Sequence, residues 1–370
     1  LDEIGLIISS IIKIRYPIKI HVDIFTITLF YFILIYLAGF LISRNINTLR
    51  FIVIGLLLIG YGDLKASSLA RKSILISAVF YLLLTMIIPL FGFHYGLDIA
   101  WWQQGIWTGT AYSSIGIFVS AILIVTLTNY NLYSFLAIIS MYLIGILTDS
   151  RYTILLTCIV LLVYFLKIMS DNSLFNIMKR VAEFLVLIVL FTILVLDFLG
   201  FNYSDLYTIQ QIQVKSVTST VFSLVTDDGT RDQDRKDMNA AVFSLTSDSP
   251  LTALFGSGGL SHQKDMTTYV RASSDGRVRP VGFPAIVFDG GWIFFFLIFA
   301  CSTKSLINIF LKYKTTPLFI KAAAMSFPFV AFLSVFITNT LDAVLFWIMI
   351  SPVGLSSFFV ECWHSQSFQA

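Results

Sequence analysis

Charged side chains are scarce in this sequence. Only 12% of its 370 residues are Asp, Glu, Lys or Arg, whereas soluble globular domains carry about 25%. Hydrophobic residues make up 57% of the chain, and its mean hydropathy is +0.87. A soluble protein of this length needs more polar surface than these residues supply. The composition therefore favours a protein embedded in a membrane over a soluble one.

Cysteine and histidine are also scarce, with three and four residues respectively. No two cysteines form a C-x-x-C pair, and no two histidines have the spacing of metal ligands. The acidic residues between 227 and 237 could suggest a divalent cation, but they lack the regular spacing of a dedicated metal loop. We therefore predict no metal ion and no cofactor, and no feature of the sequence points to nucleic acid.

The sequence has instead a series of long apolar runs separated by short charged clusters. Because backbone N–H and C=O groups cannot be left unpaired in hydrocarbon, such runs predict transmembrane helices. We expect an all-α polytopic integral membrane protein with about 10 or more such helices. One run, 49–62, is short and interrupted by glycines, which predicts a tilted or re-entrant segment. The predicted spans are 24–42, 49–62, 73–91, 111–128, 132–147, 153–169, 181–200, 283–303, 318–337 and 343–360.

Basic residues indicate the orientation of the chain. They cluster before the first span, after the second, near 170–180 and after the eighth, which are alternate connections. Short cytoplasmic connections are enriched in Lys and Arg, so these clusters predict the cytoplasmic side and place the long connection outside. We therefore divide one integrated membrane domain into three parts: an N-terminal transmembrane bundle (1–200), a large extracytoplasmic loop (201–280) and C-terminal transmembrane helices (281–370).

The extracytoplasmic loop has the pattern of a folded segment. Residues 232–246 place their apolar side chains on one face, as an amphipathic helix does. A Ser-Pro pair and a glycine-rich turn at 256–259 follow. This turn has no lysine of the P-loop kind and does not follow a strand, so we exclude a nucleotide-binding loop. We expect the folded loop to cap the membrane helices.

Arg151 is the first candidate site residue. It lies where one predicted span ends and the next begins, two residues after Asp149. An arginine there either snorkels and pairs with Asp149 or offers a fixed guanidinium to a ligand at the outer membrane surface. The second interpretation suits a lipid-linked phosphate, because guanidinium groups bind phosphate through two parallel hydrogen bonds.

The loop supplies further candidates. Arg231 and Arg235 flank an acidic cluster that includes Asp228, and this region is either a solvated charge patch or part of a binding site. His262 is the only histidine of the loop and is either structural or a general acid or base.

A third group lies at the end of the loop and inside the span that follows. Arg277 and Arg279 come just before that span, and Asp289 lies within it. An ionisable residue inside a membrane span is a functional hypothesis by default. Depending on where the helix begins, Asp289 pairs with Arg279 or faces a cavity.

Four features of residues 110–310 form a pattern. They are the many spans with one large outer loop in the second half, and Asp149-Ser150-Arg151 at a span boundary. The third is an ordered series: Arg235, an amphipathic stretch, Pro250-Leu251 and Gly256-Ser257-Gly258. The fourth is Asp289-Gly290-Gly291 early in the next span. Together they resemble the superfamily of bacterial O-antigen polymerases and O-antigen ligases. Each motif alone is common, so the resemblance rests on their order.

The resemblance implies a membrane-embedded glycosyltransferase that works without metal or nucleotide sugar. Arginines on the outer side would engage the diphosphate of an undecaprenyl-diphosphate-linked glycan, which passes to an acceptor hydroxyl. By position, Arg151 corresponds to the span-boundary arginine of the family. Arg235 fits the loop arginine by its spacing to the Pro-Leu pair, and Arg231 fits it by its Gly-Thr context, so both stay candidates. A carboxylate (Asp149, Asp228 or Asp289) or His262 would accept the proton of the acceptor hydroxyl.

One departure from the family pattern favours a polymerase. Ligases typically carry a histidine shortly before the acid-Gly pair, where this chain has Arg279-Pro280-Val281-Gly282. The alternatives are an O-antigen ligase and a polytopic polysaccharide or lipid transporter without catalysis. No internal repeat is visible, which argues against a transporter built from inverted repeats. The resemblance implies the bacterial inner membrane as location, lipid-linked oligosaccharides as donor and acceptor, and a flippase and a chain-length regulator as partners.

Overall fold

A computed structural model of the chain describes residues 23–44, 47–59, 68–94, 109–128, 131–147, 151–171, 249–259, 282–337, 344–352 and 354–367. Within these ranges the secondary structure is helical, and no strand occurs in them. The helices are α1 (Ile24–Ser43), α2 (Asn47–Ile59), α3 (Ser68–His94), α4 (Gly109–Leu127), α5 (Asn131–Leu147), α6 (Arg151–Asp171), α7 (Pro250–Phe255), α8 (Phe283–Lys312), α9 (Leu318–Ile337), α10 (Val344–Ile350) and α11 (Leu355–Ser367).

The helices follow the predicted apolar runs. Every predicted span overlaps a helix except 181–200, which lies outside the described residues. Among the described residues, three helices are long and apolar enough to cross a membrane, over Ile24–Ile42, Phe283–Lys312 and Leu318–Phe336. α10 and α11 supply a fourth candidate as one span bent by 65°, and the other apolar helices are shorter. The chain is therefore an all-α membrane protein, and the full number of spans stays a prediction.

α1 has a defined start and end. The carboxylate of Asp23 accepts a hydrogen bond from the backbone N–H of Thr26 at 2.9 Å, as N-cap residues do. Arg44 adopts a left-handed conformation (φ 52°) and donates its backbone N–H to the Phe40 carbonyl at 2.8 Å. The 20 residues between them form a helix about 30 Å long, which matches the hydrocarbon thickness of a bilayer.

The chain forms two compact units, each assembled from separate stretches of sequence. α1, α2, α7, α8 and α10 belong to unit 1 with most of α9 and of α11, whereas α3 to α6 belong to unit 2. Unit 1 comprises Leu1–Ala66, Gly229–Lys314 and Ala324–Glu361, and unit 2 comprises Ser67–Asp228, Thr315–Ala323 and Cys362–Ala370.

Unit 1 has an aromatic core. α1 packs against both α2 and α8. Phe32 of α1 contacts Phe294 of α8 and Trp347 of α10, with ring centroids 6.2 and 4.8 Å apart. All three rings are fully buried. Where α10 ends, the hydroxyl of Ser305 donates to the Ile350 carbonyl at 2.7 Å and so pairs one of the carbonyl groups that a helix end leaves free.

Unit 2 is held by side chains that bond across helices. α4 packs against α3, α5 and α6. The hydroxyls of Ser114 and Thr153 share a buried hydrogen bond of 2.6 Å between α4 and α6. Lys167 of α6 is only 8% exposed, and its Nζ donates to the carbonyls of Val125 and Thr128, both at 2.6 Å. Its ammonium group thus caps the C-terminal end of α4, where the helix dipole favours a cation.

Candidate functional site

The longest helix of the described residues, α8, is broken in its first third. Gly291 has φ 68° and ψ −177°, a conformation that is essentially restricted to glycine. The break separates residues 283–290 from the longer stretch 292–312. Because the helical hydrogen-bond pattern is interrupted there, the carbonyl groups just before Gly291 need other donors.

Two of those donors belong to the glycine-rich turn that follows α7. The backbone N–H of Ser257 donates to the Phe288 carbonyl at 2.8 Å, and that of Gly258 donates to the Asp289 carbonyl at 3.0 Å. The turn and the break are therefore joined backbone to backbone.

α1 contacts the same region from another side. The hydroxyl of Tyr31 donates to the Gly290 carbonyl at 3.1 Å, so the third carbonyl at the break is also paired. The backbone N–H of Gly259 donates to the Ile35 carbonyl at 2.9 Å. Three segments that are distant in sequence thus meet through main-chain groups.

Only glycine permits these close approaches. A Cβ atom on Gly291 would lie 2.1 Å from the carbonyl oxygen of Leu254. One on Gly39 would lie 2.0 Å from the carbonyl oxygen of Gly259. Both distances are far inside van der Waals contact, and the atoms in the way belong to the backbone. We call this arrangement the glycine joint, defined by residues 256–259, residues 288–291 and the facing positions 31–39 of α1.

Asp289 lies at the glycine joint and is only 4% exposed. A buried carboxylate is costly in a membrane protein unless its surroundings stabilise it, so Asp289 stays a functional candidate. The carboxylate can accept a proton or a hydrogen bond from a group that reaches it. Since so little of the residue is exposed, the atoms packed around it must part before a substrate can contact it.

Arg151 is the other predicted site residue within a described helix. It is the first residue of α6, shortly after α5 ends at Leu147, whereas its place at a boundary between two membrane spans stays a prediction. The remaining predicted site residues lie outside the described residues, as does the predicted amphipathic helix 232–246. They are Asp149, Asp228, Arg231, Arg235, His262, Arg277 and Arg279.

The contribution of α1 was not predicted. Tyr31 is one of several aromatic residues in an apolar run, and the pattern of that run does not single it out. The Ile35 carbonyl is a backbone group and has no sequence signature. Gly39 carries a weak indication, because an isolated glycine inside an apolar run is often a point of close backbone approach.

In the described part of the chain, no three His, Cys, Asp or Glu side chains are grouped so that they could hold a metal ion. Comparison with known protein families finds none that matches this chain. Comparison with curated proteins likewise finds no match.

Proposed function

We propose that the chain is a membrane glycosyltransferase of the O-antigen polymerase type. It transfers an undecaprenyl-diphosphate-linked glycan onto the sugar hydroxyl of a second lipid-linked repeat unit, at the outer face of the bacterial inner membrane. The observation that supports this most strongly is the glycine joint. It brings into contact two of the motifs behind the resemblance, the Gly-x-Gly turn and the acid-Gly-Gly triplet, although residues 259–288 separate them in the sequence.

The chemistry of the reaction fits the residue types available. A glycosyl diphosphate already carries a good leaving group, so the main demand is to stabilise the negative charge that develops on the diphosphate. Bidentate arginines meet that demand without a metal ion. We assign this role to Arg151, to Arg279 and to one of Arg231 and Arg235. A carboxylate such as Asp289 accepts the proton of the acceptor hydroxyl.

The arginine mechanism is tested by polymer formation from purified lipid-linked repeat units. Lysine cannot reproduce the planar fork of arginine, so Arg151→Lys, Arg279→Lys and the double variant Arg231→Lys/Arg235→Lys should all fail. We expect rates to fall about 30- to 1000-fold, equivalent to about 2–4 kcal/mol. Arg50→Lys, at an exposed position of α2, is the matched control and should lose well under about 1 kcal/mol.

Folding of each arginine variant is checked separately by gel filtration in detergent. Near wild-type polymerisation by both Arg151→Lys and the double variant would make these arginines ordinary interface charges, and the mechanism would be wrong.

The role of the buried acid is tested by Asp289→Asn. The amide has nearly the same shape as the carboxylate but cannot accept the proton, so we expect less polymer at near-normal expression. Asp23→Asn is the matched control, because asparagine caps a helix N-terminus as well as aspartate does. Polymer of wild-type length and yield from Asp289→Asn would reduce Asp289 to a packing neighbour of Gly290 and Gly291.

A polytopic transporter is the second candidate, because discontinuous helices with unwound backbone at membrane depth are typical of transporter binding sites. The break at Gly291 is the observation that favours it. Reconstituted vesicles loaded with lipid-linked repeat units separate the candidates. A new glycosidic bond between two repeat units supports the polymerase, transfer to lipid A indicates a ligase, and translocation without bond formation indicates a transporter.

A further inference from the structure

The packing of α1 against α8 fixes the level of the glycine joint along a membrane span. Ile35 faces Gly290, Phe32 contacts Phe294, and Thr28 shares a hydrogen bond of 3.1 Å with Cys301. In these contacts the residue numbers of α1 decrease as those of α8 increase, so the two helices are antiparallel. Both are long and apolar enough to span the hydrocarbon layer.

The glycine-rich turn lies at the level of the middle of α1. Gly259 bonds to the carbonyl of Ile35, which lies within two residues of the centre of α1. Ile35 precedes Ser43, the last residue of α1, by eight residues, or about 12 Å of helix at 1.5 Å per residue. The Leu254 carbonyl, at the end of α7, approaches the break in α8 and so lies near the same level.

Each backbone N–H group of the turn is paired within the protein, as a position inside the hydrocarbon layer requires. Irregular backbone is tolerated within the hydrocarbon layer only where its polar groups find partners in the protein. The N–H groups of residues 256–259 all have them: Gly256 bonds to the Thr252 carbonyl, and the next three bond to carbonyls of α8 and α1. A turn that merely rested on the outer surface would have water for these groups.

The side chains of α7 fit the same environment. The helix has no buried residue, and its exposed residues include three large apolar ones: Leu251 (68%), Phe255 (51%) and Leu254 (46%). A side chain exposed at the level of a span's middle faces hydrocarbon, and large apolar side chains are favourable in that medium.

We propose that residues 250–259 form a membrane-embedded segment, whose Leu251, Leu254 and Phe255 side chains contact the acyl chains of bilayer phospholipids. The sequence alone assigns these residues to a loop that caps the membrane helices. The proposal goes beyond the function suggested above and does not depend on it, since it needs neither catalysis nor a lipid-linked sugar.

The test measures the depth of a nitroxide attached to a single cysteine at Leu254. The three native cysteines are replaced by serine, and the full chain is reconstituted into vesicles of phosphatidylethanolamine and phosphatidylglycerol. Accessibility to oxygen, which concentrates in the bilayer centre, is compared with accessibility to a water-soluble nickel chelate. Matched labels at Leu34 and Ile42, both exposed on α1, mark the middle and the end of a span. Label at Leu251 provides a second site if Leu254→Cys does not fold, as judged by gel filtration.

We expect the ratio of oxygen to nickel accessibility at Leu254 to match that at Leu34 and to exceed that at Ile42. A ratio at or below that of Ile42 would place the segment at the surface and overturn the proposal. Low accessibility to both reagents would show that protein, and not phospholipid, covers α7, and would overturn the proposed contact with acyl chains.

Discussion

One site in each unit pairs buried carbonyl groups at a helix end or break, and the two sites rely on different donors. At the glycine joint of unit 1, backbone N–H groups of a turn bond to the carbonyls at a helix break. In unit 2, the side chain of Lys167 donates to the carbonyls of Val125 and Thr128 at the end of α4. The first arrangement requires glycines, because a Cβ atom at these positions would clash with the backbone. The second requires the ammonium group of Lys167. Unit 1 should therefore be sensitive to added atoms, and unit 2 to removed ones.

The two units also differ in the regularity of their backbone. The helices of unit 2 run without a break over their described residues, whereas unit 1 contains the break at Gly291 and the bend between α10 and α11. Irregular backbone at membrane depth is expected where a protein binds or reacts with something, since it carries a cost that packing alone does not require. Within unit 1, the irregular backbone therefore singles out the glycine joint as the candidate site.

The largest effect is expected from Gly291→Ala. Alanine is strained at φ 68° and ψ −177°, and its Cβ would lie 2.1 Å from the Leu254 carbonyl oxygen, so we expect a loss of about 3 kcal/mol or failure to fold. The measurement is thermal unfolding in detergent, monitored by tryptophan fluorescence.

Gly116→Ala in unit 2 is the matched control for Gly291→Ala. Its Cβ would meet the ring end of Tyr81, a side chain that can move, and Gly116 has no positive φ. A small loss there with a large loss at Gly291 supports the comparison. Equal losses at both sites would contradict it.

An intermediate effect is expected from Lys167→Met. The variant fills a similar volume but leaves the carbonyls of Val125 and Thr128 without their charged donor, at a cost of about 2 kcal/mol. The same unfolding assay applies. Lys72→Met, at an exposed position of α3, is the control and should change stability by less than about 0.5 kcal/mol. Unchanged stability in Lys167→Met would mean that another group replaces the ammonium at the end of α4.

The smallest effect is expected from Tyr31→Phe. The variant removes only the hydroxyl that bonds to the Gly290 carbonyl and keeps the ring beside Phe294, so the loss should be about 1 kcal/mol. Tyr133→Phe, an exposed tyrosine of unit 2, serves as the control. Identical behaviour of the two variants would show that the Tyr31 hydroxyl contributes nothing to the joint.

Much of the helical fold could be predicted from the sequence, because apolar runs bounded by charge are a local property. The bounds of α9 agree with the predicted span, and α1 differs by one residue at its end. The extension of α8 to Lys312 was not predicted, since its last turns mix polar and apolar residues after the span proper.

The candidate site was predictable only in part. Asp289 and the two glycine motifs stand out because acids and glycines are uncommon in apolar runs. Their contact with each other, and the part played by Tyr31 and Ile35, depend on tertiary packing and on backbone groups that every residue possesses. No pattern of side chains along the chain can encode which carbonyl a turn will bond to.

The glycine joint constrains the order in which the chain is assembled during its synthesis. The acceptor at Ile35 belongs to the first described helix, whereas the acceptors at Phe288 and Asp289 belong to a helix made much later. α7 has six residues, about 9 Å of helix, which is too short for the insertion machinery to treat as a span. Residues 257–259 can therefore find all their partners only after the ribosome has passed residue 289 and α8 has entered the bilayer. On this view the joint closes after insertion, as one of the last steps in the biogenesis of unit 1.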